Sequence, residues 1–310
     1  MTKRAVVVGI NDYTGIDPFG DSDLHCCVPD AWSITDLLPS LGFDPSDIVT
    51  LTDAAATRDT VLLALGDVIR ASQPGDVACF YFSGHGTVEP ADPDDATCER
   101  FYESMCMATR PFLTDRDLVL IANQLEPSVV NFTVISDSCH SGGLSEEVDA
   151  FAKYKSLQMD SDLTERVQTY MNTWIPAGIA VPDNSDACRN NVSNVQVSEG
   201  GHLYCEEDPS QIFVPLAKMT LISGCRFWEL SYESDGHGLL TKSILDTVNS
   251  SGFQMSYSDF MASIQAGVAT DFESLLPFIK PEYPKSQTPQ LRGQANRMDE
   301  SFLEAWLESQ

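Results

Sequence analysis

Two apolar runs in this chain end in glycine-rich turns, and each turn carries one reactive side chain. Val77–Phe82 leads into Ser83-Gly84-His85-Gly86-Thr87, and Val129–Ile135 leads into Ser136-Asp137-Ser138-Cys139-His140-Ser141-Gly142-Gly143. Both runs are short, continuous and rich in β-branched and aromatic residues, the pattern of strands buried on both faces. Arg4–Gly9, Asp47–Thr52 and Met219–Ser223 read the same way. Between them come helical patterns at Pro29–Leu41 (stopped by Gly42), Thr57–Arg70, Asp115–Leu125 and Leu239–Val248. Alternation of this kind predicts an α/β fold, with a mainly parallel central sheet covered by helices on both faces. Reactive groups in such sheets sit just beyond the carboxyl ends of the strands.

His85 and Cys139 would therefore stand at neighbouring strand ends, one crossover apart. A thiol is a weak nucleophile until it loses its proton, and a nearby imidazole serves that need. Small residues around both side chains let a substrate backbone approach. His140 is a decoy, because a residue next to the nucleophile usually points away from it.

The segments SGHG and DSCHSGG resemble those of metacaspases, within the wider caspase-like peptidases. The resemblance runs from Arg4 to about Ser145. It resumes at Leu221-Ile222-Ser223-Gly224-Cys225 and at Gln287-Thr288-Pro289-Gln290-Leu291. It implies a caspase-like fold and a cysteine endopeptidase with Cys139 as nucleophile and His85 as its proton-transfer partner. The backbone N–H groups of Gly86 and Cys139 would hold the oxyanion. Asp137 and Asp30 would line the S1 pocket beside Ser83 and Cys27, selecting polypeptide substrates with arginine or lysine at P1. An alternative reading of Asp30 is a helix N-cap.

No cofactor is expected for the chemistry itself, but the resemblance raises calcium as an activator. The matching positions are Glu103, Asp115 and Glu146, with Arg116 standing where a carboxylate is expected. An arginine facing a hard cation is unfavourable, and Asp117 and Glu147 are the carboxylates at hand to compensate.

The chain divides into a part with both motifs (1–147), a polar insertion (148–215) and a second core piece (216–310), all within one domain. Lys153, Lys155 and Arg166 lie in the insertion, where related enzymes often cut themselves. They read equally well as surface residues.

Forty-six acidic residues against 18 basic ones give a net charge of −28. Such a surface repels phosphates and anionic lipid, so neither nucleic acid nor membrane is expected as a partner. Nine cysteines without visible export signal suggest reduced thiols in a cytoplasmic protein. A Cys98–Cys106 or Cys188–Cys205 pair is the alternative. The resemblance favours a monomer. The competing functional readings are a catalytically silent or latent caspase-like interaction module, and a different thiol hydrolase on a similar sheet.

Overall fold

The computed structural model describes residues 1–90, 101–125, 130–139, 154–157, 196–197, 203–204, 219–226, 229–251, 254–281, 283–293 and 297–304. Its strands are β1 (Lys3–Gly9), β2 (Ile48–Thr52), β3 (Val77–Ser83), β4 (Gly86–Pro90), β5 (Phe101–Met105), β6 (Leu113–Thr114), β7 (Asn131–Asp137), β8 (Gln196–Val197), β9 (Leu203–Tyr204), β10 (Thr220–Ser223), β11 (Glu233–Ser234), β12 (His237–Gly238) and β13 (Gln290–Arg292). Its α-helices are α1 (Cys27–Leu37), α2 (Arg58–Ala71), α3 (Asp115–Ala122), α4 (Leu239–Ser251) and α5 (Tyr257–Leu275).

Six strands form the central sheet in the order β13-β10-β7-β3-β1-β2. Every pairing is parallel except β10 with β13. Strand residues alternate between two apolar layers, as the pleat requires. Ala5, Val7, Val77, Cys79, Tyr81 and Ile135 face the layer completed by α1, α4 and α5. Val6, Val8, Ala78, Phe80, Phe82 and Val134 face the layer completed by α2 and α3. The expected mainly parallel sheet with helices on both faces is what forms. The pieces before and after the insertion share this sheet, because β7 pairs directly with β10.

Local chemistry starts the helices. Thr57 accepts a hydrogen bond from the Thr60 N–H, closing a capping box on α2. Thr114 and Asp117 do the same for α3. Helix α1 begins instead after Cys26, whose side chain caps nothing, and Asp30 sits inside it with no exposure. The N-cap reading of Asp30 is therefore corrected. The α1 pattern continues beyond Leu37 as a 3₁₀ turn to Leu41, ending at Gly42 with φ 85°. Helix α5, the longest described, falls where the sequence reading assigns nothing. Its buried positions Phe260, Met261, Ile264, Val268, Phe272 and Leu275 lie on one side at helical spacing. Ser256 caps it by accepting from the Asp259 N–H. A β4-β5-β6 antiparallel sheet was also unassigned.

Register aligns the strand ends. Gly9 pairs with Ser83, Ser83 with Asp137, and Ser223 with Ser136. Two residues beyond the Ser83–Asp137 pair come His85 and Cys139. Among the described residues, no helix is long and apolar enough to cross a membrane.

Helix α1 crosses so close to β1 that a Cβ at Gly9 would collide with the Cys27 carbonyl and meet the Ala31 Cβ at 2.6 Å. Gly9→Ala is expected to cost about 1–3 kcal/mol by overpacking, read as a lowered midpoint in urea unfolding. An unchanged midpoint would contradict this packing.

Candidate active site

The turns after β3 and β7 touch through their backbones. A Cβ on Gly86 would run into the Cys139 carbonyl, so only glycine allows this approach. His85 follows β3 and is 4% exposed. Its N–H donates to the Tyr13 hydroxyl at 2.7 Å, and the two rings lie 4.6 Å apart. Its Nε2 lies 2.6 Å from the Ser22 carbonyl. A carbonyl can only accept, so Nε2 carries a proton. Cys139 is fully buried. Its Sγ accepts from the Ser231 N–H at 2.9 Å and lies 3.6 Å from the Ser231 carbonyl. The Cys225 thiol, 3.5 Å from the Glu229 carbonyl, is held well above its ordinary range by the neighbouring Cys139 and by burial.

Residues 154–157 thread through this centre. The N–H groups of Gly86 and Cys139 both donate to the Lys155 carbonyl, at 2.9 and 3.1 Å. The Lys155 N–H donates to the Ser231 carbonyl at 2.9 Å, and the Leu157 N–H donates to the Gly86 carbonyl at 3.1 Å. The segment is thus held by backbone bonds on both sides of the Lys155–Ser156 peptide.

The Lys155 side chain enters a closed acidic pocket. Its Nζ lies 3.2 Å from Asp30 Oδ2, 3.1 Å from Asp137 Oδ2 and 2.9 Å from Ser83 Oγ. That is one acceptor for each ammonium N–H. All three ionised side chains are fully buried. Burial alone would push the lysine pKa down, but Asp137, Cys27 and Asp30 together hold it well above its ordinary value. Other donors satisfy the remaining carboxylate lone pairs. Asp137 accepts from Thr241 Oγ1 at 2.6 Å, from the Thr241 N–H at 3.1 Å and from Ser231 Oγ at 2.8 Å. Asp30 accepts from Ser83 Oγ at 2.9 Å and from the Gly238 N–H at 3.1 Å, and pairs with His237 Nδ1 at 2.8 Å. A Cβ on Gly238 would strike both the Asp137 carboxylate and the Lys155 ammonium.

The structure brings the turns carrying His85, Gly86 and Cys139 and the side chains of Asp137, Asp30 and Ser83 into one region around Lys155. Cys27 lines the edge, its thiol donating to Glu233 Oε1 at 3.5 Å. Its pKa is raised well above the ordinary thiol value, chiefly by burial. Ser22, Tyr13, Ser231, His237 and Thr241 were not anticipated. Ser22 acts through its backbone, which leaves no signature in residue type.

Of the calcium candidates, Glu103 lies on β5 and Asp115 opens α3, while Glu146 lies outside the described residues, as do His140, Glu147, Lys153 and Arg166. The Arg116 guanidinium lies 3.1 Å from the Tyr102 hydroxyl and faces that ring at 6.0 Å. Asp117 is engaged by Arg58 at 2.5 and 3.0 Å. Two carboxylates beside a guanidinium fall short of the six to eight oxygens calcium takes. The described residues do not fit such a site. Cys106 is a buried free thiol, which corrects the Cys98–Cys106 pairing.

A caspase-domain family model matches residues 2–299. The chain belongs to the caspase-domain peptidases. Its curated relatives include Metacaspase-4 of Arabidopsis thaliana, 35% identical over 153 residues that cover 47% of this chain and 35% of that one. Metacaspase-1 of Schizosaccharomyces pombe is 24% identical across 91% of this chain and 68% of its own length. The chain spans only about a third of the length of Metacaspase-4 and Metacaspase-7 of Arabidopsis thaliana. Protein GSU0716 from Geobacter sulfurreducens has the same fold, with TM-score 0.60, 20% identity and coverage of 99% and 100% of the two chains. The caspase-domain family is one of cysteine peptidases.

His237 is part of the same charge balance. Its hydrogen bond to Asp30 raises its pKa, burial opposes the rise, and the Lys155 ammonium also lowers it. A raised histidine pKa contributes stability in full below about 6.5, and that contribution is lost as pH rises through the folded value. In an NMR titration of the Cys139→Ala protein, His237 is expected to titrate above 6.5. Adding Lys155→Met should move it higher still, because a positive neighbour is gone. A fall in the double variant would contradict the arrangement.

Proposed function

We propose that this chain is a cysteine endopeptidase that cuts after lysine or arginine and is held latent by its own Lys155. One observation carries the reading. Lys155 occupies the acidic pocket while its carbonyl accepts from the Gly86 and Cys139 amides, which is the pose of a P1 residue before cleavage.

The chemistry follows from that pose. His85, with Nε2–H donating to Ser22, takes the Cys139 proton on Nδ1. The thiolate attacks the carbonyl carbon of the P1 residue, and the negative charge that develops on oxygen is received by two amides already aimed at it. The imidazolium then returns a proton to the leaving amine, and water hydrolyses the thioester. Applied to Lys155, the same steps give self-processing between Lys155 and Ser156. The P1 preference comes from Asp30 and Asp137. A P1 aspartate would add a third carboxylate to a buried pocket that already holds two, at a cost of several kcal/mol.

A latent interaction module is the second reading, favoured by the filled pocket and by the seat of the thiol against Ser231. Fluorogenic peptides ending in Lys, Arg or Asp separate the two, assayed with calcium and with chelator. Cleavage after Lys and Arg is expected, at least about 1,000-fold above Asp and absent in Cys139→Ala. Cleavage after Asp would overturn the pocket assignment, and no cleavage under any condition would favour the module.

A further inference from the structure

Tyr154, the residue before Lys155, is 8% exposed and belongs to the apolar layer shared with Tyr232, Tyr283 and Phe272. Its ring meets Tyr283 edge-on, with centroids 5.5 Å apart at 62°, and Tyr232 at 6.3 Å and 73°. Tyr232 in turn meets Phe272 edge-on at 5.6 Å and 67°. These are the offset geometries that aromatic quadrupoles prefer. The Tyr154 hydroxyl is also hydrogen-bonded to Tyr283.

The walls of this pocket are fixed independently of its occupant. The Tyr232 N–H donates to Gln287 Oε1 at 2.9 Å, and Gln287 Nε2 donates to the Gly224 carbonyl at 3.0 Å and to Ser231 Oγ at 3.1 Å. Phe272 belongs to α5, and the Tyr283 N–H donates to the Lys280 carbonyl at 3.1 Å. Three separate stretches of chain thus build one aromatic recess beside the acidic pocket.

Backbone bonds fix what enters it. Tyr154 forms an antiparallel bridge with Tyr232, and the Lys155 N–H is tied to Ser231. Any peptide that seats a basic side chain between Asp30 and Asp137, with its carbonyl on the Gly86 and Cys139 amides, brings its preceding residue to the same recess. An aromatic side chain there packs against two ring edges, those of Tyr232 and Tyr283, whereas a small one leaves them uncovered.

We propose that Tyr232 and Tyr283, backed by Phe272, form an S2 subsite that selects an aromatic residue, tyrosine foremost, immediately before the basic P1 residue. The proposal rests on the peptidase reading above. It narrows the substrate class from basic sites to aromatic–basic pairs in extended segments. It also makes the chain's own Tyr154-Lys155 pair a favoured sequence rather than a merely adjacent one. The Tyr283 hydroxyl adds a preference for tyrosine over phenylalanine, because it offers the P2 hydroxyl a partner.

The test uses the full chain after its own processing, on three fluorogenic peptides that differ only in carrying Tyr-Lys, Phe-Lys or Ala-Lys. The wild type is expected to favour Tyr-Lys in kcat/KM by roughly 10- to 100-fold. Tyr283→Ala should bring that ratio towards one, and Tyr283→Phe should remove the preference for Tyr-Lys over Phe-Lys. Equal cleavage of Tyr-Lys and Ala-Lys by the wild type would overturn the subsite while leaving the peptidase reading intact. Failure to cut any of the three peptides would overturn the peptidase reading and the subsite with it. The wild-type ratio decides the question even if a tyrosine variant does not fold.

Discussion

A single ammonium between two carboxylates organises this molecule. Lys155, Asp30 and Asp137 are all fully buried, and burying charges is costly unless each is paired and hydrogen-bonded. Here the condition is met from many directions: Ser83 from β3, Thr241 from α4, Gly238 from β12, Ser231 from the stretch before β11, and His237 at the rim. Removing one member of such a set leaves uncompensated charge, a loss of about 3–5 kcal/mol. The segment at 154–157 is held by that electrostatic anchor and by backbone bonds, while an aromatic ring is buried just before it. On the proposed reading, latency and specificity have one cause. The contacts that would recognise a substrate are those that now hold the chain in its own cleft.

The sheet makes this possible by register. Because Ser83 pairs with Asp137, the turns that follow leave the sheet side by side, and Gly86 meets Cys139 backbone to backbone. The amides that receive the Lys155 carbonyl come from those two residues. Asp30 arrives by a different route, on α1, which lies unusually close to β1 at Gly9. The acidic pocket, the two amides on the Lys155 carbonyl and the Cys139 thiol are therefore separate consequences of strand pairing and helix packing. A local disturbance in any of these elements would shift their mutual distances.

Much of this was legible in the sequence. Continuous apolar runs announced buried strands, and their polar ends marked His85, Cys139 and Asp137, because residue type and position coincide there. Asp30 was legible through family resemblance, although its place inside α1 excludes the capping role that type alone suggests. Other features were hidden for physical reasons. The Ser22 carbonyl belongs to the backbone, which every residue shares. Lys155 looked like any surface lysine, because its burial depends on two carboxylates remote in sequence. Tyr232 and Tyr283 become one recess only when the stretch after β10 packs against that after α5. Helix α5 carried a clear periodicity and a serine cap, and it was legible but unread.

The central claim is that Lys155 is poised as a P1 residue in its own active site. The most direct measurement is the intact mass of the purified full chain, wild type beside Cys139→Ala and Lys155→Asp, over time with and without calcium. The account predicts two fragments that meet at the Lys155–Ser156 bond in the wild type, and an uncut chain in both variants. An uncut wild type under every condition, or a cut at this bond that persists in Cys139→Ala, would contradict it.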